Sequence, residues 1–485
     1  MNVRRAMART ALGVALGAGA SGCATTTRRT DAPREADWGP IFSRRVEPDG
    51  TERVRALGPV VETVREPDGS RLTAVRPFFV HTADAESGWV RRDWLWPVAS
   101  SKRLDDRQAS WRVLIAWGQR FDLADPEGRW RLWVLPVYFQ GRDAAGDRYL
   151  AVFPLGGRIR EILMQDEIAF ALWPLWVRAK QGATTTQTLF WPLASKSQGA
   201  GVYRARLFPF YGVSRKSPHV SRRFILWPFW TEMQSTHPSV SGSGFMVFPL
   251  YGRVRMTDLH ADTFVPPFFR FVRSERQTSV NAPWPFVQIM RGEVHDTTIW
   301  PLFRSRRRPG VRDGYLLWVL FNWEQIERRD AMVKRWRLTP LLSTETHHAH
   351  RGGRPPRRDV RLWPLVSYRR EEDAVRMRML ELWPVRDARP VEAAWAPFWT
   401  LAEWHRDAQS REVELLWGMF RHRMRGPEDR RTSIFPLIEW ERRGPEARSW
   451  NLLKGLVGYR RDADRRRLRL LYALSVRLGR REEMP

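Results

Sequence analysis

A bulky apolar residue, usually Trp or Phe, then Pro, then another apolar residue recurs from one end of this chain to the other. Copies include Trp96-Pro97-Val98, Phe153-Pro154-Leu155, Trp173-Pro174-Leu175, Trp227-Pro228-Phe229, Trp300-Pro301-Leu302, Trp363-Pro364-Leu365 and Phe435-Pro436-Leu437. They lie roughly 19 residues apart, and with Pro as the register mark about 24 slots run from Pro40 to the end of the chain. Some slots, such as those at Gly118, Gly418 and Gly455, hold Gly in place of Pro. A fixed period of this size points to a repeat array, which can run to several hundred residues as one unit.

Aromatic and aliphatic residues crowd each slot, as strands prefer, and Pro in nearly every unit would break a helix. Polar turn segments separate the slots: Glu47-Pro48-Asp49-Gly50, Glu66-Pro67-Asp68-Gly69, Asp125-Pro126-Glu127-Gly128 and Gly426-Pro427-Glu428-Asp429. Connections this short make neighbouring strands antiparallel, because a parallel return needs a long crossover. The expected fold is all-β: a repetitive antiparallel meander of about 20–24 strands, one per slot, each with a Pro/Gly kink at its centre. Apolar runs without alternation, such as residues 225–230, are expected to be buried on both faces, which makes the Trp side chains core. A curved or barrel-like sheet with packed layers meets that need. A β-propeller and a transmembrane β-barrel are the alternatives, with a β-solenoid third.

The N-terminus reads as a targeting segment. Arg4, Arg5 and Arg9 precede a short apolar run, Ala11 to Ala20, too short to span a bilayer. Next comes Ala20-Ser21-Gly22-Cys23, with the only cysteine of the chain. This segment resembles the lipobox of bacterial lipoproteins, although that family favours Leu where this chain has Ala20. The resemblance implies cleavage before Cys23 and lipidation of Cys23. Ala24, at a position where inner-membrane retention favours Asp, implies sorting to the outer membrane. An ordinary secretory signal cut near Ala18 to Ser21 is the competing reading. The expected organisation is a signal peptide over 1–22, a polar lipid-anchored tether over 23–36, a β-repeat domain over 37–479 and a tail over 480–485. The best candidate for an internal break is the His-, Gly- and Arg-rich stretch 344–359.

The 82 basic residues, only six of them Lys, against 53 acidic ones give a formal charge of +29. Such a surface attracts polyanions and anionic membranes. Nucleic acid is not the expected partner, because the Arg residues are dispersed and no helix-turn-helix, zinc-finger or RNP-type signature occurs. Arg304, Arg306, Arg307 and Arg308 at a strand end, with the densest patch at Arg306 to Arg308, are the candidate for bidentate capture of phosphate or carboxylate. His347, His348 and His350 beside Glu345 are the sharpest imidazole cluster and the candidates for Zn or Cu, although their spacing fits no structural zinc pattern. No nucleophile elbow, zincin motif or phosphate loop occurs, so no catalytic residue and no cofactor is assigned.

The repeat body resembles those of bacterial envelope proteins rich in Trp-Pro-Leu-type units, a resemblance that implies nothing catalytic. The functional expectation is a lipid-anchored, non-enzymatic protein of the cell envelope, a β-repeat scaffold or binding surface for anionic lipid or polysaccharide. An integral outer-membrane barrel with a pore or export role and a glycan-active enzyme are the alternatives.

Overall fold

The computed structural model describes residues 35–477, except 48, 106, 217–218, 351–355, 385–387, 464 and 473. Among the described residues forty-six strands, from β1 (Ala36–Trp38) to β46 (Leu474–Arg477), form one antiparallel sheet. Each strand pairs with its neighbours in sequence, as in Ala36↔Arg44 at the start and Arg467↔Arg477 at the end. The class is the expected all-β meander. The sheet is continuous, without four-stranded propeller blades, and does not close into a barrel. Strands run from 3 to 8 residues.

There are two strands per repeat, not one, and the prolines lie between strands. β7 (Trp89–Trp94) ends just before Leu95, and β8 (Ala99–Leu104) begins just after Val98. Between them the Val98 N–H donates to the Leu95 carbonyl at 3.0 Å, and Pro97, cis to Trp96, occupies the third position of the four-residue turn. The same closure recurs from Leu175 to Leu172 at 2.8 Å and from Leu193 to Phe190 at 2.7 Å. The expected mid-strand kink is therefore a turn. The unbroken apolar run marks a hairpin tip, where successive side chains need not divide between two buried faces.

The polar segments form the opposite turns as expected. In Glu66–Gly69, Gly69 takes φ +94 and its N–H donates to the Glu66 carbonyl at 3.1 Å. Gly418 and Gly455 sit in proline-slot turns with φ of +97 and +118. Gly118 does not: it lies inside β10 (Ala116–Arg120), opposite Trp111, and a Cβ there would fall 2.3 Å from the Trp111 indole. The slot at Pro397 is helical, as α1 (Arg389–Ala394) and α2 (Ala396–Trp399). On either side of residues 351–355 the expected break is not seen: β34 (Leu342–Ala349) and β35 (Arg357–Leu362) pair directly, with His347 opposite Arg357.

Burial is concentrated on one face. A single cross-strand row, one residue in from the proline turns, contains Ala74, Val80, Trp133, Phe139, Ala151 and Phe170, and further on Arg361, Glu414, Arg421 and Ser433, all buried. This inner face has a local apolar core from Trp133 to Phe170, with Trp117 and Trp133 edge-to-face at 5.4 Å. The first strands lay their inner face on that of the later ones. Gly39 fits against the Phe435 ring, where a Cβ would come within 2.4 Å, and Ala394 of α1 packs on Ala74 and Val80.

Candidate binding edge and outer face

The proline turns line one long edge of the sheet, and exposed apolar side chains run along most of it. Phe190 is 59% exposed, Trp191 53%, Trp227 49% and Leu155 64%. The expectation that these Trp residues form the core is therefore overturned: a turn tip has no second layer to cover it. Adjacent turns are hydrogen-bonded to one another, as from the Trp173 N–H to Pro154 and from the Trp191 N–H to Pro174, both 2.8 Å. Their pre-proline rings touch in series, Phe153 to Trp173 at 5.3 Å and Trp173 to Trp191 at 6.2 Å.

Behind the tips, on the outer face, lies a rim made of the strand residues that flank each turn. From Ala171 the register passes through Trp176, Leu189, Ala194, Leu207, Tyr211 and Ile225 to Phe269 without meeting a charged or amide side chain. It does the same from Ile299 through Leu316 and Leu362 to Leu474. Tip and rim together make an apolar band about 7–10 Å deep at 3.3 Å per residue.

The outer face carries a second pattern next to the polar turns. One row crosses β29 (His295–Ile299) to β45 (Arg465–Leu470), each member opposite the next. It contains Arg307 opposite Arg312, Arg358 opposite Arg370 and Arg406 opposite Arg411. It ends in an unbroken run of Arg430, Arg442, Arg448, Arg461 and Arg466. All these Arg residues are exposed, and the row contains no carboxylate. Like charges directly opposite one another repel, so the ladder costs stability unless something anionic lies along it.

Where the first strands meet the later ones the inner face is charged too, but with both signs. Arg45 and Arg55 of β2 (Phe42–Val46) and β3 (Glu52–Ala56) meet Glu414 of β39 (Ser410–Leu415) at 2.7 and 2.8 Å. Glu412 joins Arg45 at 2.5 Å, and Arg421 forms an ion pair with Asp37 at 2.7 Å. Arg76 donates to Glu62 at 2.6 Å and to the Ala393 carbonyl of α1, also at 2.6 Å. Burial by itself would raise the Glu62 carboxyl; Arg55, Arg76 and Arg53 outweigh it and hold it at about 2. Burial likewise opposes ionisation of Glu414, and Arg45, Arg55 and Arg421 keep it well below the ordinary carboxylate range. A cavity of about 250 Å³ beside this cluster is lined by both Arg and Glu, among them Arg55, Arg376, Glu62 and Glu403, so its charges select neither sign of ligand.

The residues singled out from sequence are dispersed. Cys23 lies outside the described residues. Arg304, Arg306, Arg307 and Arg308 share β30 (Phe303–Arg308) but not a face. Arg304 and Arg306 turn inward to Asp296, at 2.7 and 3.9 Å, while Arg307 faces outward in the Arg ladder. His347 and His348 point to opposite faces; His347 bonds Glu345 at 2.5 Å, and His350 meets the Arg328 carbonyl at 3.2 Å. Among the described residues no three His, Cys, Asp or Glu side chains converge as metal ligands. Sequence reading missed the ladder because its members are scattered along the chain. The available signal was an Arg two residues from an aromatic, as in Trp440/Arg442, Arg448/Trp450 and Tyr459/Arg461.

Comparison with protein families and with curated proteins finds no match to this chain. No helix among the described residues is long and apolar enough to cross a membrane, which says nothing of strands.

Proposed function

We propose that this chain is a lipid-anchored, non-enzymatic protein of the cell envelope, a long β-scaffold that rests on a membrane by its proline-turn edge and offers its cationic outer face to anionic envelope components. The observation that carries this reading is the uninterrupted apolar rim with its exposed aromatic tips. Exposed apolar surface of that extent marks an interaction site. A band about 7–10 Å deep matches the 5–10 Å to which interfacial elements enter the headgroup–acyl boundary. Trp and Tyr along the rim suit that boundary, where one end of the ring is apolar and the other wet.

The lipobox-like segment supplies the second part of the reading: lipidation at Cys23 and the apolar edge would attach the chain to one membrane by two independent contacts. The test is membrane fractionation with metabolic palmitate labelling of the full chain and of Cys23→Ser. The intact chain is expected to be labelled and to sediment with outer membranes; Cys23→Ser is expected to be unlabelled and partly released. An intact chain that is unlabelled and fully soluble would overturn the proposal.

A further inference from the structure

The Arg ladder lies on the far side of the outer face from the apolar rim. Ile438, Trp440 and Arg442 stand on one face of β42 (Ile438–Arg443), with the rim residue first and the ladder residue last. Four residues of strand, about 13 Å, separate the two. A bilayer engaged by the rim would therefore leave the ladder free, and another anion must account for it.

Between rim and ladder runs an aromatic row on the same face. Trp440, Trp450 and Tyr459 are directly opposite one another on β42, β43 (Ala447–Leu452) and β44 (Val457–Asp462). Trp440 is 43% exposed and Trp450 40%, and the Trp450 and Tyr459 rings stack at 6.3 Å. Beside them, Arg442, Arg448 and Arg461 are exposed and, among the described residues, unpaired with any carboxylate; Arg442 and Arg461 donate only to the Gly444 and Ala463 carbonyls. Across these three strands the lane thus repeats a ring face and a guanidinium about 4.8 Å apart, and Arg430 and Arg466 extend the guanidinium row by one strand on either side.

We propose that this lane, β41 (Asp429–Ile434) to β45, binds a linear acidic polysaccharide lengthwise across the strands. A chain of uronic acids carries one ring and one carboxylate per unit, the carboxylate bonded directly to the ring. Rings can lie on Trp440, Trp450 and Tyr459 while each carboxylate takes a guanidinium fork. Single-stranded nucleic acid also offers one ring and one charge per unit; the envelope compartment argues for polysaccharide, and matched single-stranded DNA is therefore one arm of the test. The inference rests on the envelope reading for the partner's compartment but on different residues.

The test uses the purified chain with oligogalacturonates of increasing length, followed by calorimetry and Trp fluorescence. Affinity is expected to rise with length, to fall with salt, and to be absent for neutral cello-oligosaccharides. Arg442→Gln/Arg448→Gln/Arg461→Gln should weaken binding about tenfold or more and flatten its salt dependence. Trp450→Ala should weaken it and leave the salt dependence in place. Arg158→Gln/Arg178→Gln/Arg253→Gln, which removes equal charge outside the lane, should bind as the parent does, and thermal unfolding checks that every variant folds. No binding to the parent chain, or equal loss in the two triple variants, overturns the proposal. So does tighter binding to single-stranded DNA of matched charge, or binding to anionic vesicles alone. Because fractionation and palmitate labelling do not involve the lane, a failure here is distinguishable from failure of the envelope reading.

Discussion

Arg55 donates from Nη1 to Glu414 Oε1 at 2.8 Å across 359 residues of chain. The bond joins the inner face of the third strand to that of the thirty-ninth, and Arg45 and Arg421 converge on the same carboxylate at 2.7 and 3.4 Å. A meander whose ladder bonds are all local thus has its beginning laid on its later strands by a buried charge cluster.

Glu414→Gln would leave three guanidiniums on the inner face with one carboxylate fewer. Breaking such a cluster from one side costs about 3–5 kcal/mol. The loss should be local: amides of β2, β3 and β4 (Val61–Arg65) should exchange faster with deuterium, while those of β16 (Trp176–Gln181) to β24 (Tyr251–Met256) keep their protection. Uniform loss of protection across the sheet would mean that the clasp is not a separable unit.

Acid should open the same clasp. Arg55, Arg76 and Arg53 overcome the effect of burial and hold Glu62 at about 2, below its ordinary 4.5, and Glu403 and Asp37 are also lowered despite their burial. A depressed carboxylate contributes stability that is complete above its unfolded value and lost as pH falls through its folded one. The window for Glu62 therefore runs from about 4.5 down to about 2, and the contribution lost is on the order of 3 kcal/mol. Pepsin, active across that range, should begin to cut β2 to β5 (Arg71–Val75) only toward its lower end. Cleavage there at pH 5 as fast as at pH 2.5 would contradict the account.

The repeat period, the all-β class and the polar turns were legible because they depend on local chemistry: Asp68-Gly69 reads as a turn wherever it stands. The place of Pro97 was not. An apolar run through Leu95, Trp96 and Val98 looks the same whether it crosses a sheet or caps a hairpin, and the two readings differ by a factor of two in strand number. The ladder of Arg442, Arg448 and Arg461 was hidden for another reason. Cross-strand neighbours are set by register, and Arg304 and Arg307, three apart in sequence, end on opposite faces. Tertiary pairing such as Arg55 with Glu414 leaves no trace in either local composition or period.

Gly118 offers a test of register at one site. Its hydrogen faces the Trp111 indole, which a Cβ would meet at 2.3 Å. Gly118→Val should cost about 1–3 kcal/mol through displacement of that ring, read as a lower midpoint of urea unfolding. Trp111→Ser combined with Gly118→Ala should recover most of it. An unchanged midpoint in Gly118→Val would show that this pair of strands takes another register.

The apolar edge makes the last prediction. Phe190 and Trp191 are 59% and 53% exposed at a turn tip, so Phe190→Glu/Trp191→Glu removes little buried surface and should shift thermal unfolding by no more than a surface substitution does. At a lipid surface the same change places two carboxylates where the band would enter the headgroup region, against both the apolar contact and the anionic headgroups. Co-sedimentation of the unlipidated chain with anionic vesicles should therefore fall severalfold, and should fall further when Leu172 and Trp173 in the adjoining turn are also replaced by Glu. The matched control is Ser70→Glu/Ala85→Glu at the polar turns, with the same added charge at the opposite edge. If the control lowers sedimentation as much as the edge variant does, the attraction is only electrostatic and the rim does not enter the membrane.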